Sequence, residues 1–125
     1  MEQEKVITSY KDLIVWQKSI RLVIEVYVLT EKYPKEEEYG LKLHTRKTAV
    51  SIPSNIAEGR GRSTKKDFCN FLRVALGSAN ELETQIIIAK NLPKTKNFDY
   101  STVDGLLIEV IKMLNSIINK FKASS

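Results

Sequence analysis

A stripe of polar side chains along one helical segment is the part of this sequence best equipped to bind a ligand. Five residues form it at spacings of 3, 4, 4 and 3 positions: His44, Lys47, Ser51, Asn55 and Glu58. At roughly 100° per residue, this spacing places them within an arc of about 80° on one helix face. We call this set the polar stripe. It is either a solvated seam or a contact surface.

A cluster of cationic residues follows the polar stripe. We call it the basic cluster, and it consists of Arg60, Arg62, Lys65 and Lys66. Guanidinium and ammonium groups bind phosphates and release counterions, so the cluster predicts contacts with a nucleic-acid backbone. A solvated turn that promotes solubility explains the same charges. Three further residues could extend the cluster into a basic surface: Arg46, Lys47 and Arg73. Phe68 and Phe71 belong to an apolar arc, which argues against base stacking and sequence-specific reading of single strands.

The residue types that most enzymes need are scarce. His44 is the only histidine and Cys69 the only cysteine, which excludes an intrachain disulfide and a four-cysteine zinc site. We interpret Cys69 as a small hydrophobic residue at the edge of the core, not as a nucleophile. The carboxylates at positions 58, 67, 81 and 83 lack the Glu-x-x-His spacing of di-iron bundles. We therefore expect no enzymatic activity, no metal and no cofactor.

Composition favours a single globular domain over residues 1–125. The chain has 125 residues, 42% of them hydrophobic, and a net charge of +5, which favours acidic partners without requiring them. The first residues are acidic and do not resemble a signal peptide, and no apolar run approaches the roughly 18 residues of a membrane span. We expect a cytoplasmic protein.

Apolar periodicity and helix-end signals predict four helices, at about 11–33, 35–58, 64–91 and 102–121. Ser9 and Thr64 each precede an acidic residue by three positions, as helix starts do, and Gly59 is predicted to cap the second helix. Pro53 lies inside that helix and predicts a kink, not two helices. No period-two pattern requires strands. We expect an all-α, antiparallel up-down-up-down four-helix bundle.

Helix one carries two apolar faces, whereas helices three and four each carry one. Its predicted core arc consists of Leu13, Trp16, Ile20, Val23, Ile24 and Tyr27. The second face consists of Val15, Leu22, Val26, Leu29 and Tyr33. Because a bundle helix needs only one buried face, we predict that the second face mediates self-association. The alternative is that helix one lies deeper in the bundle.

Two charged residues fall on faces predicted to be dry. Arg46 lies in the apolar arc of helix two, and Glu83 lies beside Leu72 and Leu76 on helix three. A lone buried charge is strongly unfavourable, so we predict an ion pair between them. Alternatively, Arg46 extends to the surface or reaches another subunit.

Four ordered motifs carry a resemblance to a known family. They are Tyr10-Lys11-Asp12-Leu13 with Val15-Trp16-Gln17, Glu38-Tyr39-Gly40-Leu41, the run from Ala49 to Gly59, and Leu76-Gly77-Ser78 with Glu81-Leu82-Glu83. Over about residues 8–92 the chain resembles the bacterial four-helix-bundle proteins encoded within intervening sequences of 23S ribosomal RNA genes. More distantly, it is similar to the accessory protein of diversity-generating retroelements. The resemblance implies a ring-like homopentamer with a nucleic-acid role.

The family pattern also marks characteristic polar positions. Those that this chain shares are Arg46, Ser51, Asn55, Glu58, Gly59, Arg60, Arg62, Glu81 and Glu83. The chain departs from the pattern at His44, Lys47 and Thr48, where glutamine, arginine and alanine are more usual. These departures weaken the case for one shared hydrogen-bond network.

The leading functional prediction is a non-enzymatic homo-oligomer that binds RNA or DNA through a basic rim. The predicted nucleic-acid contacts are Arg60, Arg62, Lys65, Lys66 and Lys47. The predicted interface or structural polar residues are Arg46, Ser51, Asn55, Glu58, Glu81 and Glu83. The alternative is a protein-interaction adaptor whose polar stripe binds a protein partner.

Overall fold

The fold consists of four α-helices and two short 3-10 turns, with no strand among the described residues. The computed structural model describes residues 9–124, with side chains to residue 122. The helices are α1 (Ile14–Thr30), α2 (Leu41–Arg60), α3 (Lys65–Lys90) and α4 (Ser101–Ser124), and the turns are Tyr10–Asp12 and Lys35–Glu37. The all-α prediction is confirmed. Within residues 9–124, no helix is long and apolar enough to cross a membrane.

Each helix packs against its neighbours in the chain, and α4 also packs against α1. In the described part of the chain, α1 does not contact α3 and α2 does not contact α4, so these pairs are diagonal in a four-helix bundle. The central core is formed by the apolar arcs of all four helices. Its fully buried side chains include Leu22, Val26, Ile52, Ile56, Leu72, Leu82, Ile86, Val110 and Leu114. The single apolar arcs predicted for α3 and α4 therefore face the core as expected.

The helix starts follow local hydrogen-bonding chemistry. The Thr64 hydroxyl accepts a 3.1 Å hydrogen bond from the Asp67 amide, which confirms the start predicted for α3. Ser9 instead caps the first 3-10 turn, and extended Leu13 separates this turn from α1. At α4, the Asp99 carboxylate accepts hydrogen bonds from the Ser101 amide and hydroxyl at 2.9 and 2.7 Å. These bonds lower the pKa of Asp99.

Gly59 does not cap α2, contrary to the prediction. The helix continues to Arg60, and the cap position is taken by Gly61, whose amide donates to the Ala57 carbonyl at 3.2 Å. Gly59 is buried against α3, where a Cβ atom would lie 2.6 Å from the Cβ of Phe71. The glycine is therefore explained by the close approach of two helices. Pro53 lies within this one continuous helix, as predicted.

The prediction that the second face of α1 mediates self-association is wrong. The five residues predicted to mediate self-association are core residues, each no more than 6% exposed: Val15, Leu22, Val26, Leu29 and Tyr33. In the predicted core arc, Leu13, Trp16 and Val23 pack against the core as expected, whereas Ile24 is 55% and Tyr27 is 42% exposed. Periodicity reveals two apolar faces without telling which one faces the bundle. The buried face also accommodates Ser19 and Thr30, because their hydroxyls donate to carbonyls of the same helix at 2.7 Å.

A chain of hydroxyl groups joins the end of α1 to the connection between α3 and α4. The hydroxyls of Tyr33 and Tyr100 lie 3.3 Å apart, and Tyr100 donates to the Thr95 carbonyl at 2.8 Å. The Thr95 hydroxyl in turn donates to the Ala89 carbonyl at 2.6 Å. Burial is the main reason why the pKa of Tyr33 is raised, and its hydroxyl stays protonated. These bonds fix one end of the bundle.

Candidate nucleic-acid interface

The basic cluster lies at the other end of the bundle, around the connection between α2 and α3. Arg60 is the last residue of α2 and is partly buried, and Arg62 lies in the connection. Lys65 and Lys66 form the first turn of α3 and are exposed. The connection is only four residues long, from 61 to 64, so it holds all four cations of the cluster at one end.

Two contacts orient Arg62. Its guanidinium pairs with the Glu58 carboxylate one helical turn earlier, and it lies over the Phe71 ring at 4.9 Å from the centroid. Arginine stacks well on aromatic faces, so the ring supports the guanidinium plane. Glu58 of the polar stripe therefore already contacts the basic cluster, and a phosphate that binds Arg62 competes with this carboxylate.

Lys47 is exposed but lies far from the basic cluster. It precedes Arg60 by 13 positions on the same helix. At about 1.5 Å per residue, this separation is about 20 Å along the axis. Arg73 lies on α3, where it donates to the Asn70 side chain at 3.3 Å. The structure therefore does not bring Lys47 together with the basic cluster.

The end of α4 brings further cations that the sequence did not reveal. The Phe121 and Phe68 rings lie 5.6 Å apart, which places the last described turns of α4 beside the first turn of α3. Lys120 and Lys122 flank Phe121 and are exposed. We call these two lysines together with the basic cluster the basic end. One sequence signal could have indicated that these lysines lie near the basic cluster: the helical periodicity places both Phe68 and Phe121 in the core.

The aromatic rings near the basic end are occupied by packing. Phe68 contacts Phe121, and Phe71 lies under Arg62. Tyr10 and Trp16 pack edge to face, with their centroids 5.2 Å apart. Stacking with bases requires an accessible ring face. Phe68, Phe71 and Phe121 are therefore engaged in packing, whereas Tyr10 and Trp16 line a groove between α1 and α2.

The opposite end of the bundle carries the acidic run Glu36–Glu38. Glu36 and Glu38 are exposed and Glu37 is partly buried. Lys94, from the α3–α4 connection, forms an ion pair with Glu36. Lys35 and Lys96 are also exposed at this end and offset the acidic run, so the excess of cations is found at the basic end.

The polar stripe faces solvent along α2. His44, Lys47 and Glu58 are exposed, and Ser51 and Asn55 are partly buried. The Ser51 hydroxyl donates to the Thr48 carbonyl at 2.7 Å, and the Asn55 amide donates to the Ser51 carbonyl at 2.8 Å. These two side chains therefore bond to their own helix. Glu81 and Glu83 are exposed on α3.

Arg46 does not pair with Glu83, so that prediction is wrong. Its guanidinium donates to the Thr30 hydroxyl at 2.8 Å, to the Tyr27 carbonyl at 3.0 Å and to the Glu31 carboxylate at 3.0 Å. It also lies 4.3 Å from the centroid of the Tyr27 ring. The reason is the direction of the side chain, which points from α2 to α1, whereas Glu83 lies on α3. Arg46 therefore joins α1 to α2.

This network predicts a measurable pH dependence of stability. The hydrogen bond from Arg46, with the positive charges of Lys42 and Arg46, lowers the pKa of Glu31 below 4.5. A group with a lowered folded-state pKa stabilises the fold above its unfolded pKa and loses this contribution as pH falls through the folded value. We expect Glu31→Gln to reduce the loss of stability between about pH 7 and about pH 3, measured by urea unfolding. The matched control is Glu81→Gln on α3. An unchanged pH dependence in Glu31→Gln would contradict the assignment.

Cys69 is buried and belongs to the hydrophobic core. Its surroundings confirm the prediction that it acts as a small hydrophobic residue. At 5% exposed, its thiol lacks the accessibility of reactive cysteines.

Comparison with known proteins identifies the family. The chain matches the family model described as 23S rRNA-intervening sequence protein over residues 11–116. The protein belongs to this family. None of the curated proteins matches the chain.

A solved structure shares the fold of this family member. It is described as a protein of unknown function from the S23 ribosomal protein family of Bacteroides thetaiotaomicron. The two chains are 24% identical with a TM-score of 0.72, and the match covers 84% of this chain and 98% of the other. At this identity the likeness shows a common fold, and it leaves function to be argued from the site.

Proposed function

We propose that this protein is a non-enzymatic, homo-oligomeric helical bundle that binds nucleic acid through its basic end. The observation that carries the proposal is the convergence of cations from α2, α3 and α4 at one end of the molecule. The family description, which associates its members with intervening sequences of 23S rRNA, makes RNA the first candidate ligand. A cytoplasmic location suits this role.

The binding mode follows from the chemistry of the basic end. Lysine and arginine neutralise phosphates and release their condensed counterions, which supplies affinity without sequence specificity. Packed aromatic rings argue against reading of unstacked bases. The protein would then recognise backbone charge and shape.

Self-association is proposed through the face of α1 that the sequence assigned to the core. We call Ile20, Ile24 and Tyr27 the outer face of α1. It adjoins a groove of about 260 Å³ between α1 and α2, whose lining includes Val23 and Pro53. Exposed aliphatic and aromatic side chains beside an apolar groove are typical of protein interfaces. The family resemblance suggests five subunits.

Contacts between helices support the antiparallel topology expected from the short connections. Position 59 of α2 faces 71 of α3, and position 48 faces 85, so the numbering runs in opposite directions. The same holds for the 68–121 and 90–104 pairs of α3 and α4. We also propose that α2 is kinked at Pro53. Proline has no backbone amide hydrogen, so the Ala49 carbonyl lacks its usual helical hydrogen bond.

Salt dependence tests nucleic-acid binding directly. We expect affinity for a structured RNA to fall by at least tenfold between about 50 and about 200 mM salt. The Arg60→Ala/Arg62→Ala variant should bind the same RNA more weakly than the unmodified protein at about 50 mM salt. The measurement is fluorescence anisotropy with labelled RNA. A matched control is Lys35→Ala/Lys96→Ala, which removes the same charge from the opposite end. No RNA or DNA binding at low salt would refute the proposal.

The solvent-facing polar stripe favours a second candidate, a protein-interaction adaptor. His44, Lys47 and Glu58 present both signs of charge on one exposed face. Binding of a protein partner through this face would depend less on salt than phosphate binding does. It would also persist in the Arg60→Ala/Arg62→Ala variant. The same titrations therefore separate the two functions.

A further inference from the structure

The cations of the basic end are spread across three helices. Arg60 ends α2 and Arg62 follows two residues later, and we call these two the α2 cations. Lys65 and Lys66 lie at the start of α3, and the α4 lysines lie beside Phe121. Because α2 and α4 do not contact each other over residues 9–124, these two helix ends lie on a diagonal of the bundle. The basic end is therefore a broad platform and not a single row of charges.

The size of this platform can be compared with nucleic acid. Neighbouring helix axes are about 8–10 Å apart, so diagonal axes in a square bundle are about 11–14 Å apart. The major groove of B-form DNA, which separates two phosphate backbones, is about 12 Å wide. The α2 cations and the α4 lysines could therefore each face one backbone of a double helix. A single strand has only one backbone to offer.

The surroundings of the cations also suit a duplex. Single-strand binding proteins combine a basic groove with aromatic rings on which bases stack. Here Phe68, Phe71 and Phe121 are at least partly buried and already in contact with neighbours. Bases that remain paired and stacked inside a duplex need no such ring. The engagement of these three rings in packing therefore disfavours a single strand more than a duplex.

We propose that the basic end binds the double-helical form of nucleic acid, with the α2 cations on one phosphate backbone and Lys120 and Lys122 on the other. This inference rests on the proposed function and specifies its ligand class. The shared chemistry is a pair of phosphate backbones across a groove, which duplex RNA and duplex DNA both provide. Lys120 and Lys122 are assigned a role that the sequence did not suggest.

The test compares four labelled probes: a duplex RNA and a duplex DNA of about 16 base pairs each, and one single strand of each kind. Binding is measured by anisotropy with the full chain at about 50 mM salt. We expect at least one duplex to bind about tenfold more tightly than its single strand. The RNA and DNA probes tell which duplex is preferred.

The decisive variant is Lys120→Gln/Lys122→Gln. We expect it to weaken duplex binding by about tenfold and to reduce the salt slope by about 1–2, while single-strand binding changes by less than about twofold. The matched control, Lys35→Gln/Lys96→Gln, removes two exposed lysines from the opposite end and should leave the duplex preference intact. Circular dichroism verifies that both variants remain helical.

The failure of this inference differs from the failure of the proposed function. Salt-sensitive binding of single strands as tightly as duplexes would overturn the duplex proposal and leave nucleic-acid binding in place. Equal losses in the Lys120→Gln/Lys122→Gln variant and in its control would also overturn it. No binding of any probe would overturn both proposals.

Discussion

Gly59→Ala is expected to lower the free energy of unfolding by about 1–3 kcal/mol, the usual effect of overpacking a tight interface. An added Cβ would lie 2.6 Å from the Phe71 Cβ and 3.2 Å from the Phe68 carbonyl oxygen. The Phe68 oxygen is a backbone atom and the Phe71 Cβ is bonded directly to the backbone, so neither atom can move unless α3 is displaced. The measurement is urea unfolding followed by circular dichroism.

Gly77→Ala is the matched control for this substitution. Gly77 also lies in a helix interior, but apart from its own helix backbone and chain neighbours no described atom lies within 4 Å of the Cβ position. Alanine there is expected to raise stability by about 0.5–1 kcal/mol, because glycine loses more backbone entropy on folding. Equal effects at the two sites would show that the α2–α3 contact is looser than the structure indicates.

The two faces of α1 are expected to respond in opposite ways to truncation. Leu22 is fully buried, so Leu22→Ala should reduce stability by about 2–5 kcal/mol through lost burial and a residual cavity. Ile24 is 55% exposed, so Ile24→Ala should leave the folding of the single chain nearly unchanged. If the outer face of α1 mediates self-association, Ile24→Ala should instead weaken assembly.

Two measurements separate these effects. Unfolding is measured at a dilution where the chain is monomeric, because association adds apparent stability through mass action. Light scattering over a range of concentrations then reports the assembly. A monomeric chain at every concentration would reject the outer face of α1 as an interface. Equal losses of monomer stability for Leu22→Ala and Ile24→Ala would contradict the burial of α1.

The sequence predicts α3 and α4 well because each helix has one apolar arc. Once the period of such a helix is known, only one face can enter the core. Helix α1 has two arcs that differ little in hydrophobicity, and the choice between them depends on its neighbours. Ser19 and Thr30 make the buried face look less apolar in sequence, yet their hydroxyls are satisfied within the helix. The hydrophobic pattern therefore could not predict the buried face of α1, because it does not show that these hydroxyls form hydrogen bonds within the helix.

The sequence predicts the part of the candidate site whose residues are neighbours in the chain, but not the part that helix packing brings together. The basic cluster is contiguous in sequence, so a short connection keeps it together. The lysines of α4 join it through the packing of α4 against α3, which includes the Phe68–Phe121 contact between distant segments. Gly59 is ambiguous for a related reason, because a helix cap and a close helix contact both select glycine. Arg46 likewise has carboxylates on two neighbouring helices as candidate partners.

Over residues 9–124, the excess of positive charge at the basic end has no negative counterpart at the other end, where Lys35, Lys94 and Lys96 offset the Glu36–Glu38 run. Helix α3 has 26 residues and joins the two ends. At about 1.5 Å per residue its length is about 39 Å, roughly four times the Debye length of about 10 Å at 0.1 M salt. A ligand at one end is therefore shielded from the charges at the other. The Glu36–Glu38 run does not cancel attraction at the basic end, and the net charge of +5 is a poor measure of the field that an approaching polyanion meets.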